Sequence, residues 1–305
     1  MDLGDVSLRF IADLLAERTG QQLTEGRVWR VGTALSGIFR KRGISNVEQL
    51  VCLLDQAEEK ALADEVVEAL LNNETYFFRD PAYFKVLAEL ILPTLRRARA
   101  GKRKLKIWSA GCSTGQEVLS LAMVFAEQQE QWADWSIEIL GTDISGQAID
   151  TARRGRYSQF EIQRGLGVNR MLNFFEETEQ GWLSTDRVSR LVRFNRHNVL
   201  DQTPSSGPFD LVMCRNVLLY FDAATRERAF RRLHEGLSPD GWLMLGAGET
   251  VVGQTRQFQI EPGVGGIYRP VPQEGPAFGA PHEPSSETGA ALPNSVEGKR
   301  EFTVP

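Results

Sequence analysis

The chain predicts an α/β protein: a small all-helical domain, then a doubly wound, Rossmann-like sheet with a small antiparallel β-subdomain inserted in it. Three observations carry that expectation. First, Ile107–Glu117 reads I-W-S-A-G-C-S-T-G-Q-E, an apolar run ending in Gly111 and Gly115 before a helical pattern with Val118, Leu119, Leu121 and Ala122. A strand feeding a glycine turn feeding a helix lets backbone approach a nucleotide-like ligand. A Cβ at that turn would bar the approach. Second, a further apolar run (Ile137, Ile139, Leu140) ends in Gly141-Thr142-Asp143, and an acid closing the second strand is where a ribose diol is gripped. Third, helix and strand patterns alternate from about residue 82 onward, the mark of a parallel sheet.

Residues 1–72 read as helices. Leu8, Ile11, Leu14 and Leu15 recur at helical spacing, and Val66, Val67, Leu70 and Leu71 repeat the pattern. A linker, 73–81, leads into residues 82–270. There the periodicity predicts helix at Tyr83–Arg97, strand at Lys106–Ala110, helix at Glu117–Glu127, strand at Ile137–Thr142 and helix at Ser145–Arg154. Residues 155–195 break the alternation. The pair Phe174-Phe175, the polar turn Glu176–Gly181 and the runs Trp182–Ser184 and Arg190–Phe194 predict the inserted antiparallel subdomain. Strand resumes at Phe209–Cys214, helix over Arg226–Leu237, and Gly241–Gly246 with Gly266–Arg269 predict a closing antiparallel pair. Residues 271–305 turn to Pro, Gly, Ser, Glu and Ala with few large apolar side chains and predict a disordered tail.

Composition narrows the function. At 305 residues, 42% of them apolar, the chain can bury one large core and a small second one. A net charge of −5 offers no basic field for nucleic acid. No signal segment opens the chain and no apolar run is long enough to span a bilayer, so the expectation is a cytoplasmic protein with no membrane insertion. Cys52, Cys112 and Cys214 lack metal-ligand spacing and are too few for a disulfide framework. His197, His234 and His282 are scattered, so neither a zinc site nor a Ser-His-Asp arrangement is expected. The glycine turn is neither G-x-G-x-x-G nor a Lys-Ser/Thr P-loop, and no phosphate cradle is visible. That pattern points from dinucleotides toward S-adenosylmethionine, which carries adenosine without phosphates.

Three further segments put polar groups where the C-terminal edge of such a sheet meets a ligand. They are Asn72-Asn-Glu-Thr-Tyr-Phe-Phe-Arg-Asp80, Asn195-Arg-His-Asn-Val199 and Cys214-Arg-Asn-Val-Leu-Leu-Tyr-Phe221. In the first, Phe77 and Phe78 are expected to wall a pocket. The third has Arg215-Asn216-Val217-Leu218 where base-modifying enzymes carry Asn/Asp-Pro-Pro-aromatic, which disfavours methylation of base amino groups.

With these residues in view, the chain resembles the chemotaxis receptor methyltransferases of the CheR type over about residues 5–270. N-E-T-Y-F-F-R-D, A-G-C-S-T-G-Q-E, G-T-D-I-S and C-R-N-V-L-L-Y-F-D stand in that family's order and spacing. The resemblance implies an S-adenosylmethionine-dependent protein-glutamate O-methyltransferase with no metal. It further implies that Asn73, Thr75 and Arg79 contact the cofactor from the linker. Glu117 would lie beside its amino-acid end, Asp143 would take the ribose hydroxyls, and Asn198 and Val199 would flank the adenine. Arg215 and Asn216 would line the other wall, and Arg79 and Tyr220 would assist transfer. The implied partner is the cytoplasmic helical hairpin of methyl-accepting receptors, and the implied location is the cytoplasm, at receptor arrays when bound to substrate.

The reaction explains the absence of His, Ser and metal chemistry. A glutamate with a pKa of about 4.3 is already ionised near neutrality and needs no general base. Transfer then gains from proximity and exclusion of water. The chain also departs from the family. Gln116-Glu117-Val118-Leu119-Ser120 replaces Glu-Glu-Pro-Tyr-Ser, and Gly246-Ala-Gly-Glu249 replaces Gly-x-Ser-Glu. Thr33–Ile38 lacks the usual docking arginines, leaving Arg27, Arg30 and the cluster Arg40–Arg42 for receptor recognition. The short acidic turn Glu176–Gly181 looks like that of members that do not tether a receptor's C-terminal pentapeptide. The competing readings are a methyltransferase acting on another signalling protein, on a small molecule or on RNA, and a non-catalytic cofactor-sensing module.

Overall fold

The structure is a computed structural model that describes residues 6–56 and 59–272. It begins with helices α1 (Val6–Thr19), α2 (Glu25–Val28), α3 (Arg30–Arg42), α4 (Val47–Leu54) and α5 (Lys60–Leu70). Leu8, Ile11 and Leu15 of α1, Val31, Leu35 and Ile38 of α3, and Leu62, Val66 and Leu70 of α5 converge on a core of their own. Each set recurs every three to four residues, so each helix buries one stripe. Gly43, at φ +67°, ends α3, and the Asn46 side chain accepts from the Gln49 amide to start α4.

One expectation changes here. Of the basic cluster Arg40–Arg42, Lys41 bonds Glu65 (3.3 Å) and Arg42 bonds Glu59 (3.3 Å) and Glu65 (3.1 Å). Two of the three cations therefore tie α3 to α5 and would have to give up an ion pair to serve a partner. Arg40 alone of the three is exposed without such a bond.

After the linker, α6 (Pro81–Val86), a π turn (Leu87–Ile91) and α7 (Leu92–Ala98) make one helical path. Pro93 has no amide to give to the preceding turn, and the path widens just before it. The expected Tyr83–Arg97 helix is thus interrupted. Next come β1 (Lys104–Ala110), α8 (Gln116–Glu127), α9 (Gln129–Trp132), β2 (Ser136–Asp143) and α10 (Gly146–Arg154). A small unit follows: β3 (Arg156–Tyr157), α11 (Gln159–Gln163), α12 (Val168–Phe174), β4 (Phe175–Thr178) and β5 (Gly181–Ser184). The described residues then run through α13 (Asp186–Ser189), β6 (Val192–Arg196), β7 (Phe209–Cys214), a 3₁₀ turn (Leu218–Tyr220), α14 (Ala223–Gly236), β8 (Leu237–Leu245), β9 (Phe258–Ile260) and β10 (Ile267–Pro270).

The main sheet has the order β6-β2-β1-β7-β8-β10-β9, and β3-β5-β4 form a separate antiparallel sheet. β6, β2, β1, β7 and β8 are mutually parallel, whereas β10 runs antiparallel to both β8 and β9. The run Arg190–Phe194, expected in the inserted unit, instead feeds β6 and the parallel edge of the main sheet. Its alternation, with Val192 and Phe194 buried and Arg193 exposed, is that of any half-covered strand. Leu237, expected at a helix end, begins β8.

Within β1, Leu105 and Ile107 face one core, while Trp108 and Ala110 face the other, which α14 covers. Alternate side chains of one strand thus serve both layers. The chain winds outward from β1 through β2 to β6, then returns to β7 on the other side of β1. The order reverses between β1 and β7, and the crevice beyond their C-terminal ends is the switch point at which open α/β sheets bind ligands. Among the described residues no helix is long and apolar enough to cross a membrane. The tail expected to be disordered lies, from residue 273, outside the described residues.

Candidate functional site

β1 delivers Gly111 to the crevice at φ +82°, with its amide bonded to the Thr142 carbonyl (2.7 Å). A Cβ there would overlap Val217 on the opposite wall. Ser113 follows at φ +51°. Its amide donates to Asp143 Oδ2 (2.8 Å), and its hydroxyl donates to the Asn73 carbonyl (2.6 Å). Oδ1 of Asp143 accepts from the Ser145 amide (2.9 Å). Burial pushes the Asp143 carboxyl above its usual range, opposed by these amide bonds and reinforced by nearby Glu68. Each carboxylate oxygen keeps a lone pair, so Asp143 can still accept from a ligand.

Glu68, on α5, reaches across to the N-terminus of α10. It accepts from the Gly146 and Gln147 amides (3.1 Å each) and from the Ser145 hydroxyl, to which Asn73 Nδ2 also donates (3.2 Å). The N-terminal helical region therefore caps a helix of the sheet domain beside the crevice.

The opposite wall is built on Arg215, whose side chain is 1% exposed. It donates to Glu117 (2.8 Å), Asp80 (2.7 Å) and the Arg79 carbonyl (2.9 Å), and it lies over the Tyr83 ring. Ser109 donates to the other oxygen of Glu117 (2.8 Å). A cation buried this deeply is tolerable because two carboxylates and a carbonyl surround it. Next to it Asn216 stands at φ +60°, and the amides of 216–219 converge on Glu249. The Tyr220 hydroxyl accepts from Asn72, and the Arg27 guanidinium lies 4.6 Å from its ring centre.

Asn73, Thr75, Arg79, Glu117, Asp143, Asn198, Val199, Arg215, Asn216 and Tyr220 all border this one crevice. Arg79 is lightly held, by the Glu74 carbonyl (3.2 Å). Asn198 accepts from the Leu200 amide (3.0 Å), and Val199 is buried against the α14 layer. Arg164 bonds Glu74 (2.6 Å) and holds its carboxyl below the ordinary range.

Phe77 and Phe78 are a correction. They are buried in the main core, Phe77 against Tyr157 and Phe175 and Phe78 against Phe84, so they anchor the linker and do not wall the crevice. Glu68, Ser113, Ser145 and Glu249 form its framework without having been singled out from sequence. Their roles lie in bonds to backbone, which leave no pattern of residue type. His197, one of the three histidines scattered along the sequence, borders the crevice.

Three buried polar atoms on the crevice residues, Gln21 Oε1, His197 Nδ1 and Arg215 Nε, have no hydrogen-bond partner among the described residues. The His197 Nε2 lies 2.8 Å from the Gln202 carbonyl and donates to it. With Asp143, the crevice residues thus carry unmet acceptors and one unmet donor. That suits a ligand rich in hydroxyl and amino groups, as S-adenosylmethionine is.

Comparison with known proteins agrees. Residues 73–265 match the family described as CheR methyltransferase, SAM binding domain. The chain is similar to the chemotaxis protein methyltransferase of Vibrio parahaemolyticus, 34% identical over 273 residues that cover 88% of this chain and 98% of that one. It is also 34% identical over 276 residues to chemotaxis protein methyltransferase 1 of Pseudomonas aeruginosa, covering 88% and 99%. Chemotaxis protein methyltransferase Cher2 of Pseudomonas putida is 33% identical over 276 residues, with the same coverage.

Proposed function

The chain belongs to the CheR methyltransferase family, and we propose that it methylates glutamate side chains of methyl-accepting chemotaxis receptors with S-adenosylmethionine as donor. The observation that carries this reading is the meeting, in one switch-point crevice, of Asp143 from β2, Arg79 from the linker and Tyr220 from the loop after β7.

Bound S-adenosylmethionine supplies a methyl group activated by its sulfonium charge. Asp143 would accept from its ribose hydroxyls, and Asn73, Thr75 and Arg79 would contact it from the linker. Asn198 and Val199 would flank the adenine, Glu117 would lie beside the amino-acid end, and Arg215 and Asn216 would line the other wall. Glu117 is held by Ser109 and Arg215, so its charge is fixed in place. The acceptor glutamate arrives ionised and gives up no proton. Tyr220 receives a hydrogen bond from Asn72, which leaves its own proton free for the spectator oxygen of that carboxylate. Arg79, bonded only to a carbonyl, can turn its fork onto the same group.

The partner on this reading is the helical hairpin of the receptor's cytoplasmic domain, met in the cytoplasm at receptor arrays. Residues 1–72 form the docking domain, 73–81 the linker and 82–270 the catalytic domain. Tethering of a receptor's C-terminal pentapeptide is not part of the proposal. Only Glu179 and Gln180 join β4 to β5, and edge strand β4 exposes Glu176 and Glu177, which would repel an acidic peptide carboxylate. Titration with such a pentapeptide should show no saturable binding at low micromolar concentration.

The direct test is transfer of labelled methyl groups to receptor cytoplasmic fragments, scored as base-labile ester. Ester formed by wild type and reduced at least tenfold in Arg79→Ala, with unchanged melting temperature, is the expected result. Arg79→Lys should rescue poorly, because a point charge does not replace a planar fork. Wild type that transfers no label to receptor glutamate overturns the reading.

A further inference from the structure

Glu249 is a buried carboxylate for which the reaction outlined above has no use. It stands in the turn after β8 and reaches across to the loop after β7. Oε1 accepts from the amides of Val217 (2.9 Å) and Leu218 (2.7 Å), with Leu219 farther off (3.4 Å). Oε2 accepts from the amides of Asn216 (2.8 Å) and Gly246 (2.8 Å). A carboxylate has about four lone-pair sites, so its capacity is filled by this backbone.

Four consecutive amides turned toward one point make a concave anion nest of the kind that elsewhere holds a phosphate. Here the chain fills the nest with its own side chain. The far end of this segment is held by Arg226, which donates to the Leu218 (3.2 Å) and Phe221 (2.8 Å) carbonyls, and by the Gln22 amide on the Tyr220 carbonyl (2.7 Å), while Glu249 takes its leading amides. Asn216 sits at φ +60°, a left-handed conformation that asparagine tolerates better than most side chains, and Leu218–Tyr220 are a single 3₁₀ turn. Without the anion the amides would lose a shared acceptor in a dry place. Without the converging amides the charge could not stay buried. Each conformation requires the other.

We propose that Glu249 is a positioning residue for methyl transfer. By gathering the amides of 216–219 it sets Asn216 on the crevice wall and delivers Tyr220, two residues after Leu218, to the acceptor side where its hydroxyl meets Asn72. Glu249 touches neither reactant and acts through Tyr220. The proposal rests on the methyl-transfer reading above.

The test is Glu249→Gln, nearly the same shape but with one acceptor oxygen replaced by a donor amide, compared alone and in a Tyr220→Phe background. Amide exchange at residues 216–219 should quicken at least tenfold, and calorimetric stoichiometry for S-adenosylmethionine should stay at one site, showing the variant folded. Receptor methylation should fall at least tenfold in kcat with receptor KM changed less than threefold. In the Tyr220→Phe background the same substitution should change kcat less than threefold, because the group it positions is already gone. If Glu249→Gln lowers the stoichiometry, Glu249→Asp, one methylene too short, carries the same comparison. An equal fold-loss in both backgrounds, or an unchanged kcat with loosened amides, overturns the proposal alone. Wild type that forms no methyl ester overturns the reading beneath it and the proposal together.

Discussion

Four non-glycine residues around the crevice stand at positive φ: Phe78, Asp80, Ser113 and Asn216. Each such residue costs about 1–3 kcal/mol and persists only when its surroundings over-determine it. Here each restraint can be named. The Phe78 amide bonds the Ser120 hydroxyl, Arg215 grips Asp80, Asp143 takes the Ser113 amide, and Glu249 takes that of Asn216. Asp143 therefore has two duties, holding backbone and holding ligand, and they separate by pH. Its pKa is raised by burial, so between the unfolded and folded values the folded state binds more protons. Its contribution to stability then falls as pH rises through that interval. Ligand binding runs the opposite way, because the charge-assisted bond to ribose needs the carboxylate. Affinity for S-adenosylmethionine should weaken as pH drops through the raised pKa. Asp143→Asn should remove that pH dependence and weaken binding by about 1–3 kcal/mol, or roughly 5- to 150-fold, read by calorimetry across the acid range. Asp143→Ala should also lower the melting temperature, since two buried amides lose their acceptor.

At the scale of elements, the contacts of α3 divide its cations by function. Arg42→Glu should lower the melting temperature, because it places a third carboxylate beside Glu59 and Glu65. Arg40→Glu should leave melting unchanged and raise the receptor KM, increasingly so at low salt. Equal melting losses in the two variants would show that Arg40 also belongs to the helix packing. The turn after β1 is tested by Gly111→Ala, which imposes left-handed backbone and a clash with Val217 at once. A loss of about 1–3 kcal/mol in denaturant unfolding is expected.

What could be read from the chain beforehand follows from how each element is held. β1 and β2 were legible because they are apolar runs closed by glycine or acid, and β7 because Leu211–Cys214 is an unbroken apolar run. α11 and α12, at 5 and 7 residues, are too short to display a helical period, and β9 has only 3. β6 was assigned to the wrong sheet because alternation shows that one face is covered but not by what. Phe77 and Phe78 misled for a related reason. Beside a site, an aromatic pair reads as wall, yet burial in the larger core won. Glu249 was visible only as a variant of a family motif, since its partners are backbone amides near residue 217 and these have no letter in the sequence.

Across the whole molecule, the N-terminal helical region is tied to the sheet domain at points that ring the crevice. Glu68 caps α10, Asn73 meets Ser145, Asn72 meets Tyr220, and Gln21 forms a β-bridge with Phe221. The region proposed to recognise the receptor thus also holds one side of the crevice in shape. Glu68→Ala should cost about 1 kcal/mol of stability as a lost helix cap, and it should weaken S-adenosylmethionine binding although Glu68 lies outside the crevice lining. Calorimetry showing unchanged affinity would confine Glu68 to the cap. The Gln21–Phe221 bridge, extended by the Gln22 amide bonded to the Tyr220 carbonyl (2.7 Å), has a temporal consequence. The loop bearing Tyr220 cannot swing outward while that amide is engaged. Its proton is therefore a stopwatch, traded for deuterium only when the doorway is ajar. Measured under conditions where every opening leads to exchange, that rate is a ceiling on how often spent cofactor can depart past the loop.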